Sequence, residues 1–233
     1  MDRQTGKQQT ESEEIAGSRV STWRAFYKRP FDLTILVVSH VVLAPLFLLL
    51  WTLIPLLIWL DGRGPVFYSQ KRPGKDGRLF TVLKFRTMIQ DADRRGPAWT
   101  LENDPRVTRM GRLLRKTALD ELPQVLSIWK GDLSFVGPRA LPVEEQRTRE
   151  EQIPGFRERL RIRPGLTGLA QVYNQQDESR AKLKYDLDYM SRMNPVVDMK
   201  LMLLSVWNTL GARWDKRGAK EAVSESETFK SER

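Results

Sequence analysis

Asp120 and Glu121 stand side by side in R-K-T-A-L-D-E-L-P-Q-V-L-S-I-W-K-G-D-L-S-F-V-G-P-R, the stretch from Arg115 to Arg139. Arg112, Arg115, Lys116 and Arg139 surround them in sequence. An ionised carboxylate among cations can attack a phosphate, or hold a metal ion against one. The plainer reading is that acidic residues open a helix merely as caps. Other routes to chemistry are few. There is no cysteine, which removes disulfides and thiolate metal sites. The single histidine, His40, lies inside an apolar run, where it reads as a packed or backbone-bonded ring. That argues against an imidazole triad or His-ligated zinc. Carboxylates, lysines, arginines and a hard cation bound through oxygen remain. The net charge of +10 over 233 residues points to an anionic partner: nucleic acid, acidic lipid headgroups or a phosphorylated substrate.

The elements that must position the pair can be read around it. Val125, Leu126, Ile128 and Trp129 recur at helical spacing and the run stops at Gly131. Pro123 is tolerated only in a first turn, so the helix is expected to begin near Asp120. Asp120 is then the N-cap and Glu121 lies in the first turn, where the macrodipole keeps carboxylates ionised. Upstream, 66–70 and 79–85 flank Pro73-Gly74-Lys75-Asp76-Gly77 and read as a β-hairpin. Lys84 and Arg86 share a face at its end and could grip phosphate, although two like charges on a solvated strand need no explanation. From 91 to 104 runs a loop rich in breakers.

Downstream, Gly137-Pro138-Arg139 makes a turn that fixes an arginine. A charged, exposed helix from 144 to 161 is interrupted at Pro154-Gly155. Next comes R-I-R-P-G-L-T-G-L-A-Q-V, where Arg161 and Arg163 stand beside rigid turn residues, so that backbone amides and guanidinium groups can approach one anion together. A charged helix over 177–193 carries Asp186 and Asp188. Asn194-Pro195 starts another, with Val196, Met199, Leu203, Val206, Trp207 and Leu210 on one face. That face suits either a membrane interface or burial against the core.

The 28 residues from Leu33 to Leu60 contain no Asp, Glu, Lys or Arg, and such a run normally enters a membrane. Pro45 and Pro55 each remove a helix hydrogen bond. Straightened, the run would reach roughly 42 Å, past a hydrocarbon core of about 30 Å. Trp51 and Trp59 suit a headgroup belt. Cations flank both ends, Lys28 and Arg29 before and Arg63, Lys71 and Arg72 after. Two readings stand on these residues alone: a helix–break–helix that dips into one leaflet, and one kinked transmembrane helix. The chain divides into a polar lead-in (1–22) expected to be disordered, a membrane helix (23–61), a cytosolic domain (62–214) and a polar tail (215–233) also expected to be disordered. The lead-in lacks the layout of a secretory signal.

K-R-P-F-D before the apolar run, K-F-R-T-M, L-D-E-L-P-Q, K-G-D-L-S-F-V-G-P-R and R-P-G-L-T-G-L-A-Q-V occur in the order in which they occur in one family. Over roughly Tyr27 to Leu210 the chain resembles the monotopic phosphoglycosyl transferases, bacterial sugar transferases that start glycan assembly on a polyprenyl phosphate. The resemblance implies an α+β, mainly helical fold. It favours a re-entrant membrane helix broken at Pro45, with the catalytic domain on the cytoplasmic face of the bacterial inner membrane. The family's usual Ser-Pro is here Ala44-Pro45. The resemblance also implies transfer of a sugar-1-phosphate from a UDP-sugar to undecaprenyl phosphate, with release of UMP and a requirement for Mg²⁺.

On that likeness Asp120 is the nucleophile that forms a phosphoglycosyl-aspartate, and Glu121 assists as metal partner or as base. Both are the expected metal ligands. Lys84, Arg86, Arg115, Pro138, Arg139 and Arg163 are the expected phosphate-binding set, and Asp186 completes the site. After Ala170-Gln171-Val172 relatives often carry Asn-Gly-Arg where this chain has Tyr173-Asn174-Gln175, a departure that bears on donor specificity. The lead-in is too short for the extra membrane domain of larger relatives. A homodimer is left open, and nucleic acid is not an expected partner. The competing reading is a non-enzymatic, membrane-tethered basic protein that binds nucleic acid or acidic lipid, or simply anchors a partner complex.

Overall fold

The computed structural model describes residues 26–96, 104–174 and 178–210. The expectations for the outer lead-in, for the tail and for Gln175 lie outside the described residues. The apolar run forms two helices, α1 (Lys28–Val42) and α2 (Ala44–Asp61), separated at Leu43 (φ −103°, ψ 20°). Pro45 explains the position of the break. It lacks the N–H that would bond the Val41 carbonyl, and its ring crowds that carbonyl, so it sits in the first turn of a new helix. His40 bridges the break. Its Nδ1 lies 2.7 Å from the Leu36 carbonyl, and its ring stacks on Phe47 with centroids 4.4 Å apart.

The hairpin is present. Strands β1 (Phe67–Pro73) and β2 (Leu79–Phe85) pair antiparallel, with Tyr68 opposite Lys84 and Arg72 opposite Phe80. Helix α3 (Arg109–Lys116) follows, its N-terminus capped by the Thr108 hydroxyl, which accepts from the Gly111 amide. A 3₁₀ turn (Leu119–Gln124) runs into the short α4 (Val125–Lys130), and Gly131 closes that helix in the left-handed region (φ 90°). Beyond lie β3 (Ser134–Val136), α5 (Val143–Gln152), a second 3₁₀ segment (Phe156–Arg161), β4 (Gly165–Thr167), α6 (Leu169–Tyr173), α7 (Ser179–Arg192) and α8 (Pro195–Leu210). The break expected at Pro154-Gly155 separates α5 from the 3₁₀ segment that follows it, and that segment is not exposed as expected, since Phe156, Arg159 and Leu160 are buried.

The mainly helical α+β class holds, with two differences. The first is a parallel pair that the local sequence does not announce. Ser134 pairs with Gly165 and Val136 with Thr167, which brings the G-P-R and R-P-G-L-T-G blocks against each other. Gly165 is required there, since a Cβ on it would meet the Gly137 amide nitrogen at 2.1 Å. The second concerns the start of the helix at the acidic pair. Asp120 is not an N-cap. The capping position belongs to Ala118, held at φ 54°, and no side chain caps the turn. Pro123 and the left-handed Ala118 tighten the backbone into 3₁₀ geometry, and the α-helix begins only at Val125.

Both ends of the apolar helix pair are tied to the same body. At the start, Lys28 Nζ donates to Asp198 (2.7 Å), the Val136 carbonyl (2.6 Å) and the Tyr189 hydroxyl (2.8 Å). At the far end, the Asp61 carboxylate accepts from the Met110 amide (2.9 Å). Leu36 packs with Val82, Ile128 and Leu133, while Ile54 and Ile58 pack with Phe85 and Leu114. The outer faces carry Val37, Val38, Val41, Val42, Leu46, Leu49, Leu53 and Leu56 in the open. Among the described residues α2 is the one helix long and apolar enough to cross a membrane, and little of it is buried. Helix α8 buries Asp198 and Leu201, whereas Val196, Leu203, Val206 and Trp207 are exposed. The apolar face read in the sequence is therefore not the one that meets the core.

Candidate active site

Four elements converge on the acidic pair. The 3₁₀ turn lies across β2 and presents Asp120 and Glu121 toward the hairpin. Lys84 reaches them from β2, with Nζ 2.7 Å from Glu121 Oε1 and 3.9 Å from Asp120 Oδ2. From the turn after β3, Arg139 Nη2 donates to the same Glu121 Oε1 at 2.7 Å. Arg115 approaches from α3. Its Nε donates to the Thr87 hydroxyl at 2.9 Å, and Asp120 is the strongest electrostatic attraction on its guanidinium. The approach of α3 depends on Gly111, where a Cβ would stand 2.0 Å from the Thr87 carbonyl oxygen.

The two carboxylates are held differently. Burial acts to raise the pKa of Glu121, but Arg139 and Lys84 outweigh it and hold this carboxyl well below the usual range. Two charge-assisted hydrogen bonds to one oxygen are enough to do this. For Asp120 burial comes first and wins. Lys84 opposes it, the neighbouring Glu121 charge adds to it, and the pKa lies above the ordinary aspartate value. Asp120 accepts no hydrogen bond among the described residues and is only about 9% exposed. Glu121 is thus a fixed anion clamped by cations, and Asp120 is a shielded carboxylate with its lone pairs free. The charge on Glu121 is held by Arg139 and Lys84, whereas burial works against ionisation of Asp120.

The remaining expected residues divide. Pro138 is buried in the turn that carries Arg139, and its carbonyl accepts from the Gly165 amide. Asp186 is buried behind that turn and pairs with Arg159 at 2.8 Å; it does not touch the acidic pair. Arg86 is not brought to the pair either. Its guanidinium donates to the carbonyls of Ile58, Gly62 and Arg63 and so closes the C-terminus of α2. Having left the strand, it no longer shares a face with Lys84. Arg163 Nε donates to the Gly131 carbonyl at 2.8 Å. Ala44 and Pro45 lie in the apolar helix pair.

Arg72, read in the sequence only as a cation flanking the apolar run, was not among the expected site residues. It lies near both Arg139 and Glu121, and burial together with Arg139 pushes its pKa down to about 10. The signal was present, because the hairpin register puts Arg72 and Lys84 on one face.

Among the described residues no group of three His, Cys, Asp or Glu side chains stands ready to hold a metal unaided. Mg²⁺ is commonly bound by one or two carboxylates together with substrate phosphates and water. Among the described residues Asp120 accepts no hydrogen bond and both bonds to Glu121 fall on Oε1, so the two carboxylates fit a cation that arrives with its substrate.

Comparison with known proteins places this geometry. The model of the bacterial sugar transferase family matches residues 23–212. The exopolysaccharide production protein PSS of Rhizobium leguminosarum bv. phaseoli is 39% identical over 193 residues, covering 78% of this chain and 94% of that protein. The undecaprenyl-phosphate glucose phosphotransferase of Komagataeibacter xylinus is 36% identical over 204 residues, covering 83% of this chain and 38% of the relative. The UDP-N-acetylgalactosamine-undecaprenyl-phosphate N-acetylgalactosaminephosphotransferase of Aeromonas hydrophila is 36% identical over 200 residues, covering 81% and 45%. The chain thus spans nearly all of the first relative and less than half of the other two. The non-enzymatic reading is overturned by this match: the chain belongs to the bacterial sugar transferase family and is a transferase.

Proposed function

We propose that this chain moves a sugar-1-phosphate from a UDP-sugar to undecaprenyl phosphate, releasing UMP, and so starts the assembly of an exported polysaccharide. The observation that carries the reading is the asymmetry of the acidic pair. Glu121 is committed to Lys84 and Arg139, which leaves Asp120 the carboxylate available to attack. Asp120 attacks the phosphorus bearing the sugar. The bond from that phosphorus to the oxygen shared with UMP breaks, and UMP leaves with the electron pair. An oxygen of undecaprenyl phosphate then attacks the same phosphorus, and the bond to Asp120 breaks to restore the carboxylate. One diphosphate is consumed and one is formed, so no outside energy is needed. The covalent stage lets a water-soluble donor and a lipid acceptor use one site in turn.

Lys84, Arg139 and Arg115 neutralise the diphosphate that Asp120 must approach. Held far below the usual range, Glu121 is a poor proton acceptor. Its part is to fix the two cations and to share a metal ion with Asp120. Mg²⁺, when bound there, supplies further charge neutralisation on the phosphate oxygens. The membrane side of the reading is supported by the helix pair, whose two ends return to one body while its outer faces stay apolar and exposed. Such an arrangement suits a hairpin that enters the cytoplasmic leaflet of the inner membrane and leaves on the same side, with the exposed face of α8 lying along the surface.

Incubating the purified full chain in bilayer nanodiscs with UDP-glucose or UDP-N-acetylgalactosamine, Mg²⁺ and undecaprenyl phosphate should release UMP. Asp120→Asn is expected to lower turnover at least about 10³-fold, as loss of a covalent nucleophile does. Glu121→Gln should lose roughly 10²-fold, comparable to removing one preorganised electrostatic group. Unchanged turnover in Asp120→Asn would end the nucleophile assignment.

A further inference from the structure

Three successive carbonyls in the turn that carries Arg139 are each gripped from a different part of the chain. The Pro138 carbonyl accepts from the Gly165 amide at 2.9 Å. The Arg139 carbonyl accepts from Arg159 Nη2 at 2.9 Å. The Ala140 carbonyl accepts from Arg72 Nη1. The two arginines are themselves held. Arg159 is about 2% exposed, its Nε donates to Asp186 Oδ2 at 2.8 Å, and its guanidinium lies 4.9 Å above the Phe156 ring. Arg72 Nε and Nη2 both donate to Gln70 Oε1, at 3.2 and 3.0 Å.

A buried guanidinium is costly to keep in a fold unless its donors are used. Here two are spent on the backbone of one turn, at the residue whose side chain meets Glu121 and at the residue after it. Register adds the second half of the argument. Arg72 and Lys84 project from the same face of one hairpin. Through Arg72 the hairpin that delivers Lys84 to Glu121 also fixes the turn that delivers Arg139 to the same oxygen. Through Arg159 and Asp186 that turn is braced on α7.

We propose that Arg72 and Arg159 are positioning residues: by holding the Ala140 and Arg139 carbonyls they set where the Arg139 guanidinium stands relative to Lys84 across Glu121. Asp186 belongs to this brace through Arg159. The proposal rests on the reading of Glu121, Lys84 and Arg139 as the electrostatic frame of the transfer site. It differs from a purely structural role because its effect must pass through the Arg139 side chain.

A double-mutant cycle on the full chain in nanodiscs tests it. Arg72→Gln and Arg159→Lys are each expected to lower UMP release roughly 10- to 100-fold, the scale of a displacement of about 1 Å in a charged site. On an Arg139→Ala background each should change turnover less than about twofold, because the group it positions is gone. Losses that simply multiply on that background would overturn the proposal. A second measurement stands apart from turnover. Amide hydrogen exchange at Gly137 and Gly165, whose N–H groups donate to Thr167 and Pro138, should accelerate in Arg72→Gln while the thermal midpoint stays near that of the parent. Unchanged exchange in Arg72→Gln would overturn the clamp even if activity fell. Should Arg159→Lys fail to fold, Arg72→Gln alone decides, since it is the less buried of the two. Full activity in Arg139→Ala would instead count against the reading of the site, and the exchange data would still say whether the arginines hold the turn.

Discussion

At the scale of single residues, the division of labour between Asp120 and Glu121 comes from which cations reach which oxygen. The two carboxylates are adjacent, so their titrations belong to the pair. Even so, their environments push them apart, Glu121 below and Asp120 above the ordinary range. If Asp120 must be ionised to attack, the rate rises with pH as its proton is lost. Because that pKa is raised, the acid limb of kcat/KM against pH should lie above the value of about 3.9 typical of a free aspartate. Lys84 is the largest influence opposing the shift, so Lys84→Met should move the limb further up. A limb at or below the ordinary aspartate value would show that the carboxylate that limits the rate is not Asp120. The sign for stability is opposite for the two groups. The contribution of Glu121 is complete above the ordinary glutamate pKa and is lost as pH falls through its depressed value. Asp120, whose folded pKa is raised, makes the fold less stable as pH climbs from the unfolded value through the folded one.

At the scale of elements, Arg86 and Gly111 do quiet work. Arg86 satisfies the Gly62 and Arg63 carbonyls just past the end of α2 and shares the Ile58 carbonyl with the Gly62 amide. Arg86→Met should therefore destabilise the protein by about 1–3 kcal/mol, the cost of buried unsatisfied carbonyls, as read by thermal denaturation in detergent. The chemical step measured in the surviving folded fraction should fall far less than in Lys84→Met. Equal losses in the two variants would return Arg86 to the phosphate-binding set. Gly111→Ala acts elsewhere. The added methyl group cannot coexist with the Thr87 carbonyl, so α3 must shift and take Arg115 with it. That variant should lose activity as well as stability, whereas a change at the exposed Leu113 of the same helix should spare both.

At the scale of the whole molecule, the decisive question is how the apolar helix pair meets the bilayer. The first turn of α1 is bonded to α8 and β3, and the end of α2 is bonded to α3 and to the segment after β2. One body cannot hold both ends if the pair crosses to the far side between them. The chain has no cysteine, so single cysteines can be introduced without a competing thiol. Phe26→Cys and Arg63→Cys, both exposed and flanking the helix pair, should react with a membrane-impermeant maleimide from the cytoplasmic side in inverted vesicles. Neither should react from the outside of intact spheroplasts. Labelling of the two positions from opposite sides would establish a full span. A companion measurement addresses α8: Leu203→Glu combined with Val206→Glu should weaken flotation with anionic vesicles while leaving the melting temperature unchanged.

Much of this was legible in the chain itself. The proline at 45 marks the break, although the same missing amide at Pro55 is accommodated inside α2, so the proline alone does not decide where a helix ends. The hairpin announces itself through β-rich runs around a Pro/Gly turn, and Asp-Glu among cations announces phosphate chemistry. These are local facts, set by residue type and spacing. What the sequence could not determine depends on contacts between distant segments. The parallel pairing of β3 with β4 joins residues about thirty positions apart and leaves no period in either strand to reveal it. The departure of Arg86 to cap α2, the recruitment of Arg72 to the site and the 3₁₀ turn that displaces Asp120 from the cap are of the same kind. The sequence by itself determined which charges exist and where the backbone must bend. Only the tertiary structure decided which cation meets which carboxylate, because a charge a few ångströms away in a largely buried site outweighs anything its neighbours along the chain can do.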